Sequence, residues 1–138
     1  MPQQIIIKEL RRPSKVNLGE DMLWLSDSFG FSAGRDVENS AEQILRAVLQ
    51  QAVATGSSST EEISDELDFS IQKVNYHLRT LIDGGILYRE KRRIYVRQGS
   101  VKAAVEEIRK DANRIFDQIS EIAEEIDASL GFKNREKP

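Results

Sequence analysis

From Val101 to Ile126 the residues Val101, Val105, Ile108, Ala112, Ile115, Ile119, Ile122 and Ile126 are separated by 4, 3, 4, 3, 4, 3 and 4 positions. Only a helix keeps such a set on one side, and this alternation over nearly four heptads is the seam of a coiled coil. A helix running from about Ser100 to Leu130 would be roughly 45 Å long. The chain has 138 residues, 39% of them hydrophobic and 31% charged. The rest of so small and so charged a chain cannot cover a seam of that length. These eight residues are therefore expected to form an interface with a second copy. Isoleucine at both seam positions leaves strand number and direction open, although twofold symmetry is the common solution.

Upstream, the pattern is three short helices followed by a hairpin. Ile44, Leu45, Val48, Leu49 and Ala52 recur as a helical stripe that Gly56 closes. Ser59 with Glu62 three residues on forms a capping box for a short helix that buries Ile63 and Leu67. Ser70 opens a third helix with Ile71, Val74, Leu78, Leu81 and Ile82 on its inner side, and Gly84-Gly85 stop it. Two strand-like runs, 86–89 and 94–97, flank the charged turn Glu90-Lys91-Arg92-Arg93. That order is a winged helix-turn-helix. The expected fold class is mainly α with a small β-hairpin wing and a long C-terminal coiled-coil helix. The expected divisions are 1–39 (N-terminal arm and helix), 40–98 (winged helix-turn-helix), 99–131 (dimerisation helix) and 132–138 (disordered tail). Within 1–39, Ile5 to Ile7 form a β-prone run, Asn17 and Glu20 a capping pair, and Gly30 and Gly34 a helix stop.

The formal net charge is −3 at pH 7, but the charge is segregated. Residues 70–99 hold seven basic residues against two acidic ones, whereas residues 59–69 hold five acids and no base. Local charge is what meets a phosphate backbone, so an acidic total is compatible with nucleic-acid binding. On a helical wheel the outer side of the third helix presents Gln72, Lys73, Tyr76, Arg79 and Thr80, with Asn75 at the flank. Gln and Asn can bond adenine twice, and Arg and Lys can do so with guanine. Base contacts are expected from Gln72, Lys73, Asn75, Tyr76 and Arg79, with the helix (70–83) in the major groove and weight on its N-terminal end. The wing (86–97) is expected on the backbone, where Lys91, Arg92 and Arg93 at its tip displace counterions. Ser59, Ser70 and Arg89 are further expected backbone contacts. The cluster Lys8, Arg11, Arg12 and Lys15 reads first as solvated surface.

Chemistry finds no support in the sequence, and no enzyme is expected. The chain has no cysteine, so it has neither disulfides nor a thiolate site. Its single histidine, His77, falls at the margin of a buried face and is expected to be structural or to contact a phosphate rather than to ligate a metal; no metal or other cofactor is expected. The carboxylates at 61–68 match no cation-loop spacing. No apolar run is long enough to span a bilayer, and the expected location is the cytoplasm.

The run Glu62-Ile63-Ser64-Asp65-Glu66-Leu67, then Ser70 to Leu81, then Gly85-Ile86-Leu87, resembles the ArsR-type winged-helix regulators. The layout of a helix before the module and a long charged helix after it resembles archaeal regulators of this class. The resemblance implies a homodimeric, repressor-like protein whose terminal helices form the dimer interface, and it maps base contacts onto the same five residues of the third helix. The metal-sensing branch places cysteines at the reading helix, and this chain has none, so no metal response is implied.

The sequence thus points to a dimeric transcriptional regulator that binds double-stranded DNA at a palindromic operator. The rival reading is a winged-helix subunit of a transcription or chromosome-organising assembly, its long helix gripping a protein partner. A small-molecule effector would need a pocket, for which the segment around Trp24 is the expected wall.

Overall fold

In a computed structural model, residues 3–32 and 38–133 are described. Among these residues five α-helices and one hairpin follow in order: α1 (Leu18–Ser28), α2 (Ser40–Thr55), α3 (Thr60–Leu67), α4 (Ile71–Asp83), β1 (Leu87–Glu90), β2 (Arg93–Val96) and, after a short 3-10 turn at Arg97–Gly99, α5 (Val101–Leu130). Gly34 and the tail from 134 onward, to which a helix stop and disorder were assigned, lie outside the described residues. The chain divides into two units, residues 1–108 and 109–138.

The helix starts follow from local hydrogen bonding. The Asn17, Ser59 and Ser70 side-chain oxygens accept the backbone N–H of Glu20, Glu62 and Lys73, each satisfying a donor that the first turn leaves orphaned. Between α3 and α4 the turn is three residues long, and Asp68 adopts a left-handed φ of 56° to make it. At the end of α4 two glycines are required for different reasons. A Cβ on Gly84 would stand 2.6 Å from the Phe31 ring, and Gly85 has a φ of 93° where the chain turns into β1.

The core of the first unit gathers Ile44, Leu45 and Val48 from α2, Ile63 from α3, and Val74, Leu78 and Leu81 from α4. Leu87 and Ile94 from the hairpin and Ala104 and Ile108 from α5 complete it. Two expectations are corrected here. Ile71, expected on the inner side of α4, is 40% exposed. Ile108, expected in the dimer interface, is 1% exposed within its own unit's core, and Val101 and Val105 are half-buried. The proximal turns of α5 therefore serve the fold of the first unit. Ala112 and Ile115 are half-buried, and Ile119, Ile122 and Ile126 are exposed.

The hairpin pairs Leu87 with Val96, Tyr88 with Tyr95, Arg89 with Ile94 and Glu90 with Arg93. The Tyr88 and Tyr95 rings stack at 5.1 Å between centroids, a cross-strand pair of the kind that stabilises a short sheet. Both strands shift from their expected ends, so the loop is two residues rather than four. Ser58, between α2 and α3, adds a bridge: its N–H donates to the Ile94 carbonyl at 2.9 Å and its carbonyl accepts from the Ile94 N–H at 2.8 Å. Ile5 to Ile7 form no strand. Ile5 packs on the core, Ile7 is 68% exposed, and the Lys8 N–H donates to the Ser28 carbonyl at 2.8 Å.

Candidate nucleic-acid interface

On α4 the outward residues separate into a free row and a restrained one. Gln72, Tyr76, Arg79 and Thr80 are exposed, at spacings that keep them on one side of the helix. His77 is buried and sets its ring edge-on to Tyr76 at 5.0 Å, which limits where the phenol can swing.

Lys73 and Asn75 are restrained. The Lys73 ammonium lies 4.0 Å above the Phe69 ring centroid and 3.4 Å from the Glu38 carboxylate. The Asn75 side-chain oxygen accepts from the Thr60 hydroxyl at 3.1 Å and from the Arg89 guanidinium at 3.4 Å. Asn75 is thus a junction of α3, α4 and β1 rather than an outward group, and Arg89 is drawn to the flank of α4 by it. Sequence spacing placed Asn75 at the flank correctly but could not show its partners, which lie 15 and 14 residues away.

In the hairpin, Arg93 does not sit at the tip. It opens β2, donates from Nε to the Ser57 hydroxyl at 2.9 Å, and donates from Nη1 to Glu62 at 2.7 Å. The Glu62 hydrogen bond holds its guanidinium charged even more firmly than usual. Its expected place as a tip contact is corrected: a cation already bound to a carboxylate tethers the wing to α3. Ser59 is corrected likewise, because it is buried and its oxygen accepts the Glu62 N–H at 3.1 Å. Ser70 is exposed and spends one lone pair on the Lys73 N–H, leaving its hydroxyl proton for an outside acceptor.

The tip itself consists of Lys91 and Arg92, both exposed, with φ of 50° and 67°. With positive φ at both central positions this is the type I′ form of a two-residue hairpin turn, for which Asn-Gly is the usual choice. Long, charged side chains in that conformation cost about 1 kcal/mol or more each. The missing Asn-Gly signal is what hid the two-residue turn in the sequence.

The α3 carboxylates are partly spoken for. Glu62 holds Arg93, and Glu66 accepts from the Gln51 amide at 3.3 Å. Among the described residues no group of three or more His, Asp or Glu side chains is placed to hold a metal ion. Trp24, the expected pocket wall, is half-buried on α1, and residues 33–37 of that segment lie outside the described residues. A groove of about 840 Å³ opens elsewhere, between Leu49 and Val53 of α2, Tyr88 and Tyr95 of the hairpin, and Val101. Among the described residues no helix is long and apolar enough to cross a membrane.

Residues 42–88 match the family model described as winged helix-turn-helix DNA-binding, a span that covers nearly all of α2, all of α3 and α4, and the start of β1. No curated protein and no solved structure matches the chain.

Proposed function

We propose that this chain, which carries a winged helix-turn-helix DNA-binding domain, is a transcriptional regulator of the ArsR-like kind that binds a palindromic operator as a homodimer. In this reading α4 enters the major groove with Gln72, Tyr76 and Arg79 facing base edges. Lys73 and Asn75 hold the helix and the flanking Arg89 in place, and Lys73 joins the contact when a phosphate displaces Glu38. Lys91 and Arg92 lie against the phosphate backbone, with Ser70 donating to it from the start of α4. The distal part of α5, through Ile115, Ile119, Ile122 and Ile126, brings two such modules together.

The observation that carries the reading is the wing tip. Two cations occupy backbone conformations that Asn and Gly would occupy at lower cost, and strain of this kind persists where the side chains have work to do. Affinity for duplex from the chain's own upstream region, measured across a salt series against a scrambled control, tests it. The upstream duplex is expected to bind at least roughly ten times tighter than the control, as specific sites do over non-specific DNA. A Lys91→Ala/Arg92→Ala variant is expected to reduce the slope of log affinity against log salt by about two, close to one for each lost phosphate contact. Equal, weak binding of both duplexes would defeat the proposal. The rival, a winged-helix subunit of a protein assembly, draws on the exposed apolar residues of α5 and predicts that the same variant leaves partner binding intact.

A further inference from the structure

The contacts proposed for α4 and the wing leave one basic segment without a role. Residues 3–13 form neither helix nor strand, yet the segment is fastened at its start. Ile5 packs on the core, and Ile6 lies so close to Gly30 that a Cβ there would stand 2.9 Å from its Cγ2. Gln4 and Ile6 line one cleft of about 80 Å³ together with Thr80, Asp83 and Gly84. Thr80 belongs to the exposed outward row of α4, so the segment leaves the domain beside the C-terminal end of that row. Lys8 follows Ile6 by two residues, at most about 7 Å of backbone.

From Lys8 to Lys15 the chain carries four bases, Lys8, Arg11, Arg12 and Lys15, against the single acid Glu9, and all five are exposed. Acids are available nearby in sequence, since α1 holds Glu20, Asp21 and Asp27. Glu20 and Asp21 stand in the first turn of α1, where they complement the positive end of the helix. Among the described residues none of the four bases comes within ion-pair distance of a carboxylate, whereas Arg46, Lys73, Arg93, Arg97 and Arg114 all do. A surface that serves solubility alone intersperses both signs of charge. A run of one sign with no counter-charge is suited to a polyanion, because each phosphate it meets releases condensed counterions.

We infer that residues 8–15 form a second DNA-contacting element, an arm that lies on the phosphate backbone flanking the site entered by α4. This rests on the regulator reading above and divides the labour within it. Base edges facing α4 supply the discrimination, and the arm supplies affinity that is indifferent to sequence.

The full chain and the same two duplexes test this. The four bases lie outside the core, and Lys8→Ala/Arg11→Ala/Arg12→Ala/Lys15→Ala is expected to reduce the slope of log affinity against log salt by about two to four, near one for each lost phosphate contact. Affinity is expected to fall by the same factor for the upstream duplex and the scrambled control. An unchanged slope overturns the inference, and so does a loss confined to the upstream duplex, which would make the arm a reader of bases. Placement is measured separately, without removing a base. The chain has no cysteine, so iron–EDTA tethered at Ser14→Cys, between Arg12 and Lys15, reports the arm alone. Strand cleavage at the edge of the protected site is expected, and a duplex left uncut overturns the inference. Vesicles of anionic lipid are the control: an arm that binds them and leaves the duplex slope unchanged is a membrane-surface element instead. If the unsubstituted chain binds both duplexes alike, the regulator reading fails while the slope still decides the role of the arm. A preserved preference for the upstream duplex with an unchanged slope defeats the arm alone, and binding to neither duplex defeats both.

Discussion

At the base of the wing, Arg93 gives its guanidinium to Ser57 and Glu62; one residue earlier, at the tip, Arg92 stands in solvent on a backbone turned to a φ of 67°. The same residue type is used in the first place to hold the hairpin against α3 and in the second to hold a charge outward. The base gains stability from its arginine and the tip gives some up. A basic turn in a sequence is therefore not one feature but two, and only the tertiary neighbours tell them apart. The same division runs along α4, where Asn75 is tied to Thr60 and Arg89 while Arg79 faces out.

The largest effect bearing on this contrast comes from the core beneath both regions. Leu78 is fully buried, and Leu78→Ala is expected to cost about 2–5 kcal/mol in denaturant unfolding, loosening base and tip together. A sharper test replaces the tip by the residues its geometry favours. Lys91→Asn/Arg92→Gly is expected to raise stability by about 1–2 kcal/mol while lowering duplex affinity, so that melting temperature and binding move in opposite directions. If both fall together, the tip is not strained in the way its φ angles imply. Ser59→Ala removes the cap of α3 beside the Arg93 tether and is expected to cost about 1 kcal/mol. Smallest is Arg93→Ala. Both partners of its ion pair are about one-third to one-half exposed, so solvent screening is expected to leave the smallest effect of the four in denaturant unfolding. Its diagnostic value lies in the salt slope of DNA binding, which should stay close to that of the unsubstituted chain, unlike that of the tip variant.

Much of the fold was legible in the sequence because its signals are local. Asn17, Ser59 and Ser70 announce helix starts within three residues, the Gly84-Gly85 pair announces a stop, and apolar spacing gives the inner faces of α2 and α4. What the sequence hid depends on residues far apart along the chain. The Ser58–Ile94 bridge and the Arg93–Ser57 hydrogen bond each join positions 36 residues apart, and Lys73 meets Glu38 across 35. Periodicity showed that α5 has an apolar seam but not that Ile108 would be taken into the core of the first unit. Of the candidate interface, Gln72, Tyr76, Arg79, Lys91 and Arg92 stand outward as the wheel and the turn suggested. Ser59 and Arg93 could not be separated from them, because nothing local distinguishes a free serine or arginine from an engaged one.

The Ser58 bridge has one more consequence. A two-stranded hairpin has two open edges, and an open edge is a template on which another chain can add a strand. By taking both the N–H and the carbonyl of Ile94, Ser58 closes the middle of the β2 edge with the protein's own backbone. Molecules crowded side by side then find no free ladder at Ile94 to extend, and the wing is guarded there against edge-to-edge aggregation.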